Sequence, residues 1–245
     1  MNIRSLLYTI YLWLVFLILF MVFLTLASIL SVFQRDRQAH FQDWARHWAN
    51  TLIFFSGMRA NIQGQKNLDQ NKNYIIVANH QGLADIPIIL AALPIRFYFV
   101  IKAELFSIPL FGWYLRLAGF IPVERGSAAS AFRSFKRINS LLESGHSVLF
   151  FPEGTRSKDG GLGVFKRGSL KAAYDTGVPV LPVALSGSYN LIKRGSLLMN
   201  PVKVRVSIGK AIRLPKTDDI SRQDQEADLE RVRSAVDKLL RGKDV

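Results

Sequence analysis

Residues 74–92 read YIIVANHQGLADIPIILAA. The first five are apolar and rich in β-branched side chains, the texture of a strand covered on both faces. From Asp85 the pattern predicts a helix, with Pro87 tolerated in its first turn. Between strand and helix stands NHQGLAD (79–85), which places His80, one of four histidines in the chain, five positions ahead of Asp85.

The same strand-then-helix texture recurs downstream. FYFVI (97–101), FIPV (120–123), SVLFF (147–151) and VPVLPVAL (178–185) read as further short, largely buried strands. Residues 127–144 predict a helix whose buried face carries Ala128, Ala131, Phe132, Phe135, Ile138, Leu141 and Leu142. VKVRVSIG (202–209) alternates strictly and predicts a half-exposed strand near a sheet edge. A charged amphipathic helix over 222–241, with Leu229, Val232, Val236 and Leu239 on one side, closes the chain. Alternating strands and helices predict an α/β fold with a mixed, largely parallel central sheet flanked by helices.

The N-terminus is different. Ser5 to Gln34 contains no charged residue and is bracketed by Arg4 and Arg35. As a helix it reaches roughly 45 Å at about 1.5 Å per residue, more than a hydrocarbon core of roughly 30 Å. It is too long for a signal peptide, and no small-residue cleavage site follows it, so a retained membrane anchor is expected. Spanning the bilayer and lying in one leaflet both remain open, since both flanks are basic and a helical hairpin would satisfy each. A second helix, FQDWARHWANTLIFFSGM (41–58), stacks Trp44 and Trp48 on one side near Phe41, which suits either a headgroup layer or packing against the domain. Residues 1–60 are thus assigned to membrane-anchoring helices and 61–245 to the α/β domain.

Lys and Arg number 32 against 18 Asp and Glu, a net charge of +14 that favours anionic partners. Nucleic acid is not among them, because the basic residues are dispersed and no recognition motif appears. Cysteine is absent, which excludes disulfides, thiolate nucleophiles and Cys-based zinc sites. His40, His47 and His146 have no partners at ligand spacing, so no metal is expected. Ser157 and Ser186 lie outside any G-x-S-x-G elbow, which argues against an acyl-enzyme.

Reactive groups in an α/β sheet gather beyond the carboxyl ends of its strands. His80 falls at such an end, and Asp85 is placed to reach back to the imidazole, fix its tautomer and leave Nε2 to accept a proton. Loop and helix capping is the plainer reading of the same pair. FPEGTRS (151–157) follows another strand, with Gly154 allowing close backbone approach and Arg156 offering a planar fork for phosphate or carboxylate. Arg125 in ERG and Lys102 in VIKAELF stand after two more strands. A base and three cations at like positions favour a phosphate-bearing substrate.

NHQGLAD, GFIPVERG, FPEGTRS and VPVLPVALSG resemble the four ordered blocks of the HxxxxD glycerolipid acyltransferases, the family of the PlsC-type 1-acyl-sn-glycerol-3-phosphate acyltransferases. The resemblance covers roughly Tyr74 to Gly187. It implies transfer of an acyl chain from an acyl carrier protein or coenzyme A thioester to the sn-2 hydroxyl of lysophosphatidic acid, without a further cofactor. It also implies residence at the inner, cytoplasmic membrane with the catalytic domain facing the cytoplasm. His80 and Asp85 match the catalytic pair. Arg125 and Glu153, Gly154, Thr155 and Arg156 match the blocks that bind the acceptor phosphate, with Lys102 a further candidate. Val180 and Pro182 fall in the block linked to the acyl-chain side. Glu124 stands where many members have Asp or Asn, and Pro122 where a larger residue is common, which leaves other lysolipid acceptors open. A non-catalytic basic lipid-binding protein is the remaining alternative, against which the intact His80, Asp85, Glu153 and Arg156 speak.

Overall fold

The structure, a computed structural model, describes residues 3–124, 128–192, 195–217 and 219–242. Two helices come first, α1 (Ile3–Leu30) and α2 (Arg37–Ser56), the second capped by Asp36, whose carboxylate accepts the Ala39 N–H at 2.9 Å. Then follow β1 (Arg59–Gln63), β2 (Ile75–Ala78), α3 (Asp85–Ala92), β3 (Phe97–Lys102), α4 (Phe111–Leu117), β4 (Ile121–Val123) and α5 (Ala128–Glu143). The chain closes with β5 (Ser147–Phe150), α6 (Lys171–Thr176), β6 (Val180–Ser186), β7 (Lys203–Ile208) and α7 (Arg222–Leu240).

The strands form one sheet in the order β1-β7-β6-β2-β5-β3-β4. All neighbours run parallel except β6 and β7. Strand alternation splits the core into two layers. Ile76, Ala78, Leu181, Val183 and Leu185 face α2, α3 and α4, while Ile75, Val77, Val180 and Ala184 face α5, α6 and α7. Each fully buried aliphatic side chain contributes roughly 1.5–3 kcal/mol, so this double-sided burial is what holds β2 at the centre.

Three expectations are corrected. First, β1 (RANIQ) is an added strand whose polar sequence gives no apolar run, and it forms the edge beyond β7. Consequently β7 is interior, with Val204, Val206, Ser207 and Ile208 all buried, and the α/β domain takes in Arg59 and Ala60. Second, Phe132 does not join the buried face of α5; it is 73% exposed, whereas Ile138 and Leu142 are buried. Third, α2 is part of the main core: Phe41, Ala45 and Ala49 are buried with β2 and β3 residues. Trp44 and Trp48 pack edge-on against Phe23 and Phe16 of α1.

Helix α1 is long and apolar enough to cross a membrane. It suggests membrane association because Leu7, Leu14, Leu17 and Ile18 are exposed. Its inner side is tied down by Tyr8 Oη donating to Ser56 O at 2.8 Å and Ser5 Oγ donating to Asn200 Oδ1 at 3.0 Å.

Between β3 and α4 the chain turns sharply. Phe111 N–H donates to Pro109 O at 2.6 Å across Leu110, whose φ of 62° and ψ of −51° define a positive-φ γ-turn. For a non-glycine residue such a conformation costs on the order of 1–3 kcal/mol. Just beyond, Gly112 lies so near the preceding turn that a Cβ there would overlap the Phe106 carbonyl oxygen.

Candidate active site

The loop after β2 is anchored before it reaches the histidine. Asn79, fully buried, donates from Nδ2 to Leu185 O at 2.9 Å and accepts the Leu185 N–H at Oδ1 at 2.7 Å. This side chain substitutes for one more step of sheet pairing with β6, so the residue that follows starts from a fixed point.

His80 is then held on every side. Its main-chain N–H donates to Glu153 Oε1 at 2.8 Å, and its carbonyl accepts the Ser157 N–H at 2.8 Å. Its ring stacks on Phe151 with centroids 4.2 Å apart. Nδ1 lies 2.7 Å from Asp85 Oδ2. Oδ2 also accepts the N–H groups of Gln81 at 2.6 Å and Gly82 at 2.9 Å. Asp85 is fully buried at the first turn of α3, with Oδ1 unpartnered among the described residues. Charge-assisted bonds of this kind are about twice as strong as neutral ones. The loop-to-helix turn predicted from the five-residue spacing is thus formed, and with a carboxylate on Nδ1 the ring's Nε2 is the atom left for other chemistry.

Glu153 is the main departure from expectation at the site. Both oxygens accept backbone N–H groups, Oε1 from His80 and Oε2 from Gly163 at 2.9 Å. Burial pushes its pKa up, opposed by those two N–H donors and by the imidazole. A buried carboxylate so engaged is a brace between two loops, and its charge would repel a phosphate. The residues that do face open space are Thr155, Arg156 and Lys102, which line one cavity with His80. Lys102 is partly exposed and paired with Glu104 at 2.8 Å. Gly154 supports the turn with φ of 65°, and the space its missing Cβ leaves is taken by Lys166, whose Nζ would be 2.7 Å from that atom. Arg125 lies outside the described residues.

The cavity measures about 610 Å³. From the polar end at His80, Thr155, Arg156 and Lys102, its walls run between α1 and the helices α2, α3 and α4. Phe20, Phe23, Trp44, Trp48 and Leu90 are among the apolar lining. Val180 and Pro182 are not. Both lie on the face of β6 turned toward α5, α6 and α7, with Val180 packed there and Pro182 two residues along, so the apolar walls come from the helical layer instead.

Lys166, Asn79 and Gln81 are neighbours of the site that spacing did not single out. Gln81 donates to Gly160 O at 2.7 Å and accepts from Ser188 Oγ at 3.0 Å, joining the loops after β2, β5 and β6. Its signal was present as a polar residue inside the quoted loop, and it is buried.

A sequence model described as "Acyltransferase" matches residues 59–186. The chloroplastic 1-acyl-sn-glycerol-3-phosphate acyltransferase LPAT1 of Arabidopsis thaliana is 40% identical over 176 residues, 71% of this chain and 49% of that protein. The chloroplastic 1-acyl-sn-glycerol-3-phosphate acyltransferase BAT2 of Brassica napus is 37% identical over 204 residues, 82% of this chain and 59% of that protein. The chain therefore spans about half to three-fifths of these relatives. Among solved structures, the crystal structure of the 1-acyl-sn-glycerophosphate (LPA) acyltransferase PlsC from Thermotoga maritima superposes with a TM-score of 0.83 at 30% identity. That superposition covers 98% of this chain and 96% of the other. A histidine held by a carboxylate at a strand end, an arginine and a lysine beside it, and a long apolar cavity are therefore set in a chain that belongs to the acyltransferase family.

Proposed function

We propose that the protein transfers an acyl chain from an acyl carrier protein or coenzyme A thioester to the sn-2 hydroxyl of lysophosphatidic acid, giving phosphatidic acid. The observation that carries this reading is the 2.7 Å contact between His80 Nδ1 and Asp85 Oδ2, at the polar end of an apolar cavity. Asp85 fixes the tautomer in which Nε2 is the acceptor. Nε2 removes the proton from the acceptor hydroxyl as that oxygen attacks the thioester carbonyl carbon. The imidazolium so formed is stabilised by Asp85. As the tetrahedral intermediate collapses, the carbon–sulfur bond breaks and the imidazolium returns its proton to the thiolate.

Arg156 and Lys102, with Thr155 and the Gly154 turn, supply cationic and hydrogen-bonding groups for the acceptor phosphate. Arg125, two residues past the end of β4, is a further candidate for the same phosphate. The apolar walls suit an acyl chain. Lipid enters from a membrane surface, with α1 as anchor and the net charge of +14 favouring anionic phospholipid and an acidic carrier protein. The site is assigned to the cytoplasmic face of the inner membrane.

The test is acyl transfer to lysophosphatidic acid by the purified full chain, from each donor, beside His80→Ala. Transfer abolished by the substitution is the expected result. A folded protein that uses neither donor would direct attention to another lysolipid acceptor, and undiminished transfer by the variant would sink the proposed base.

A further inference from the structure

The segment Leu105–Trp113, LFSIPLFGW, carries no charged residue. It joins β3 to α4 on the outside of the molecule, yet Ile108 (45% exposed), Leu110 (47%) and Trp113 (45%) all present large apolar side chains to the surroundings. Leu105 is also exposed. A patch of this kind, kept out of the core by an expensive backbone, calls for a partner. The γ-turn at Leu110 is that backbone: it directs an exposed leucine outward in a conformation the residue disfavours, and strained positions persist where function requires them.

Two relationships identify the partner. Leu105 and Leu83 are both exposed and both line the cavity, so they stand at its mouth. The same segment touches α1: Phe20 lies 6.1 Å from Phe111 and 6.1 Å from Tyr114, ring to ring. The outer side chains of α1 on either side of that contact, Leu17, Ile18 and Met21, are exposed. The patch is therefore continuous with the apolar helix that suggests membrane association; of the charges beside it, Lys102 is paired with Glu104 at 2.8 Å, which leaves Arg116 as the net cation at its edge.

We propose that Leu105–Trp113 is a second membrane contact, which seats the mouth of the cavity in the surface of a phospholipid bilayer. This rests on the membrane reading of α1 given above. With the mouth at that depth, an amphiphilic acceptor passes from the lipid layer into the cavity while its alkyl chain stays out of water.

The cysteine-free chain allows a direct test, because one introduced cysteine is the sole labelling site. An environment-sensitive fluorophore is placed on Ile108→Cys, on Leu17→Cys in α1 and on Ser140→Cys, an exposed position of α5. Each full-length protein is mixed with phosphatidylcholine–phosphatidylglycerol vesicles. The expected result is a blue shift at 108 and 17, with quenching by lipids brominated in the acyl chain, and no change at 140. Trp113→Cys repeats the measurement should the first variant fold poorly. A label at 108 that stays in water while the one at 17 inserts would overturn the second contact and leave α1 as the anchor. Labels at both positions staying in water would overturn the membrane reading itself. A shift at 108 that appears without vesicles and grows with protein concentration would make the patch an interface between copies and overturn the proposal. In the same vein, Leu110→Asp is expected to lose transfer several-fold on acceptor presented in vesicles and to keep it on acceptor in detergent micelles.

Discussion

The main-chain N–H of His80 donates to Glu153 Oε1 at 2.8 Å while the ring of the same residue meets Asp85 Oδ2 at 2.7 Å, so two buried carboxylates grip one histidine from its backbone and its side chain. The two contacts do different work. Asp85 sets the tautomer and Glu153 sets the position of the residue, which separates orientation from placement in a way that substitutions can read out.

Removing the ring or its partner is expected to cost rate with little loss of fold. His80→Ala should lower acyl transfer by about 10²–10⁴-fold, the usual worth of a positioned general base. Asp85→Asn should fall in the same range, because its amide oxygen can take the Oδ2 contacts but carries no charge to stabilise an imidazolium, and its N–H₂ is left buried where Oδ1 has no partner, at about 1–3 kcal/mol of stability. Turnover measured beside thermal unfolding checks both, and a near-normal rate for Asp85→Asn would mean that the charge of this carboxylate contributes nothing to the reaction.

Glu153→Gln presents an N–H₂ to one of two backbone donors that need an acceptor. Activity should drop at all pH values, because either His80 or Gly163 loses its bond. In the parent protein, burial raises the pKa of Glu153 above that of an ordinary glutamate. Between the ordinary value and the raised one, the folded chain holds this proton and the unfolded chain does not. Falling pH through that window therefore favours the fold on account of this group, even as protonation removes an acceptor from the His80 loop. Transfer should thus decline on the acid side before the melting temperature does, and Glu153→Gln should lose that component. Coincident loss of both in the parent would contradict the assignment.

Tyr114 is a third buried group with an unusual environment. Its hydroxyl faces no partner among the described residues, and burial pushes its pKa up. Because the side chain lines the cavity, Tyr114→Phe should be neutral or stabilising, since a buried hydroxyl without a bond contributes only desolvation cost. A clear fall in melting temperature would show that the hydroxyl is satisfied by solvent or ligand.

Leu110→Gly should raise stability by about 1 kcal/mol, because glycine adopts positive φ without the Cβ penalty. Differential scanning measurements on the detergent-solubilised protein give the number. A loss of stability would mean that the leucine side chain holds the turn through contacts stronger than the strain.

How much of this was legible depended on where the physics is local. Six strands and the two long amphipathic helices could be read, five strands as short apolar runs, β7 from its strict alternation, and the helices from faces that repeat every three to four residues. β1 could not, since RANIQ is a polar edge strand fixed by pairing with β7, far along the chain. The burial of β7 followed from the same omission. Alternation showed that Val180 and Pro182 share a face, but the choice of face is set by which helices cover it, and that is a tertiary fact. For Glu153, its place in a cation-rich turn suggested a ligand role, whereas its partners sit 73 residues before it and 10 after it. The His80–Asp85 pair was legible because strand end, turn and helix start are consecutive in the chain.

The sheet order also sets when activity can appear during synthesis. β2 and β3, which carry His80 and Lys102, are separated by β5, so the gap between them stays unfilled until residue 150 has left the ribosome. Helix α1, made first, finds Met199 and Asn200 only near the end of translation. A nascent chain that stops short of these residues therefore carries its apolar helix long before the strands on either side of His80 are joined.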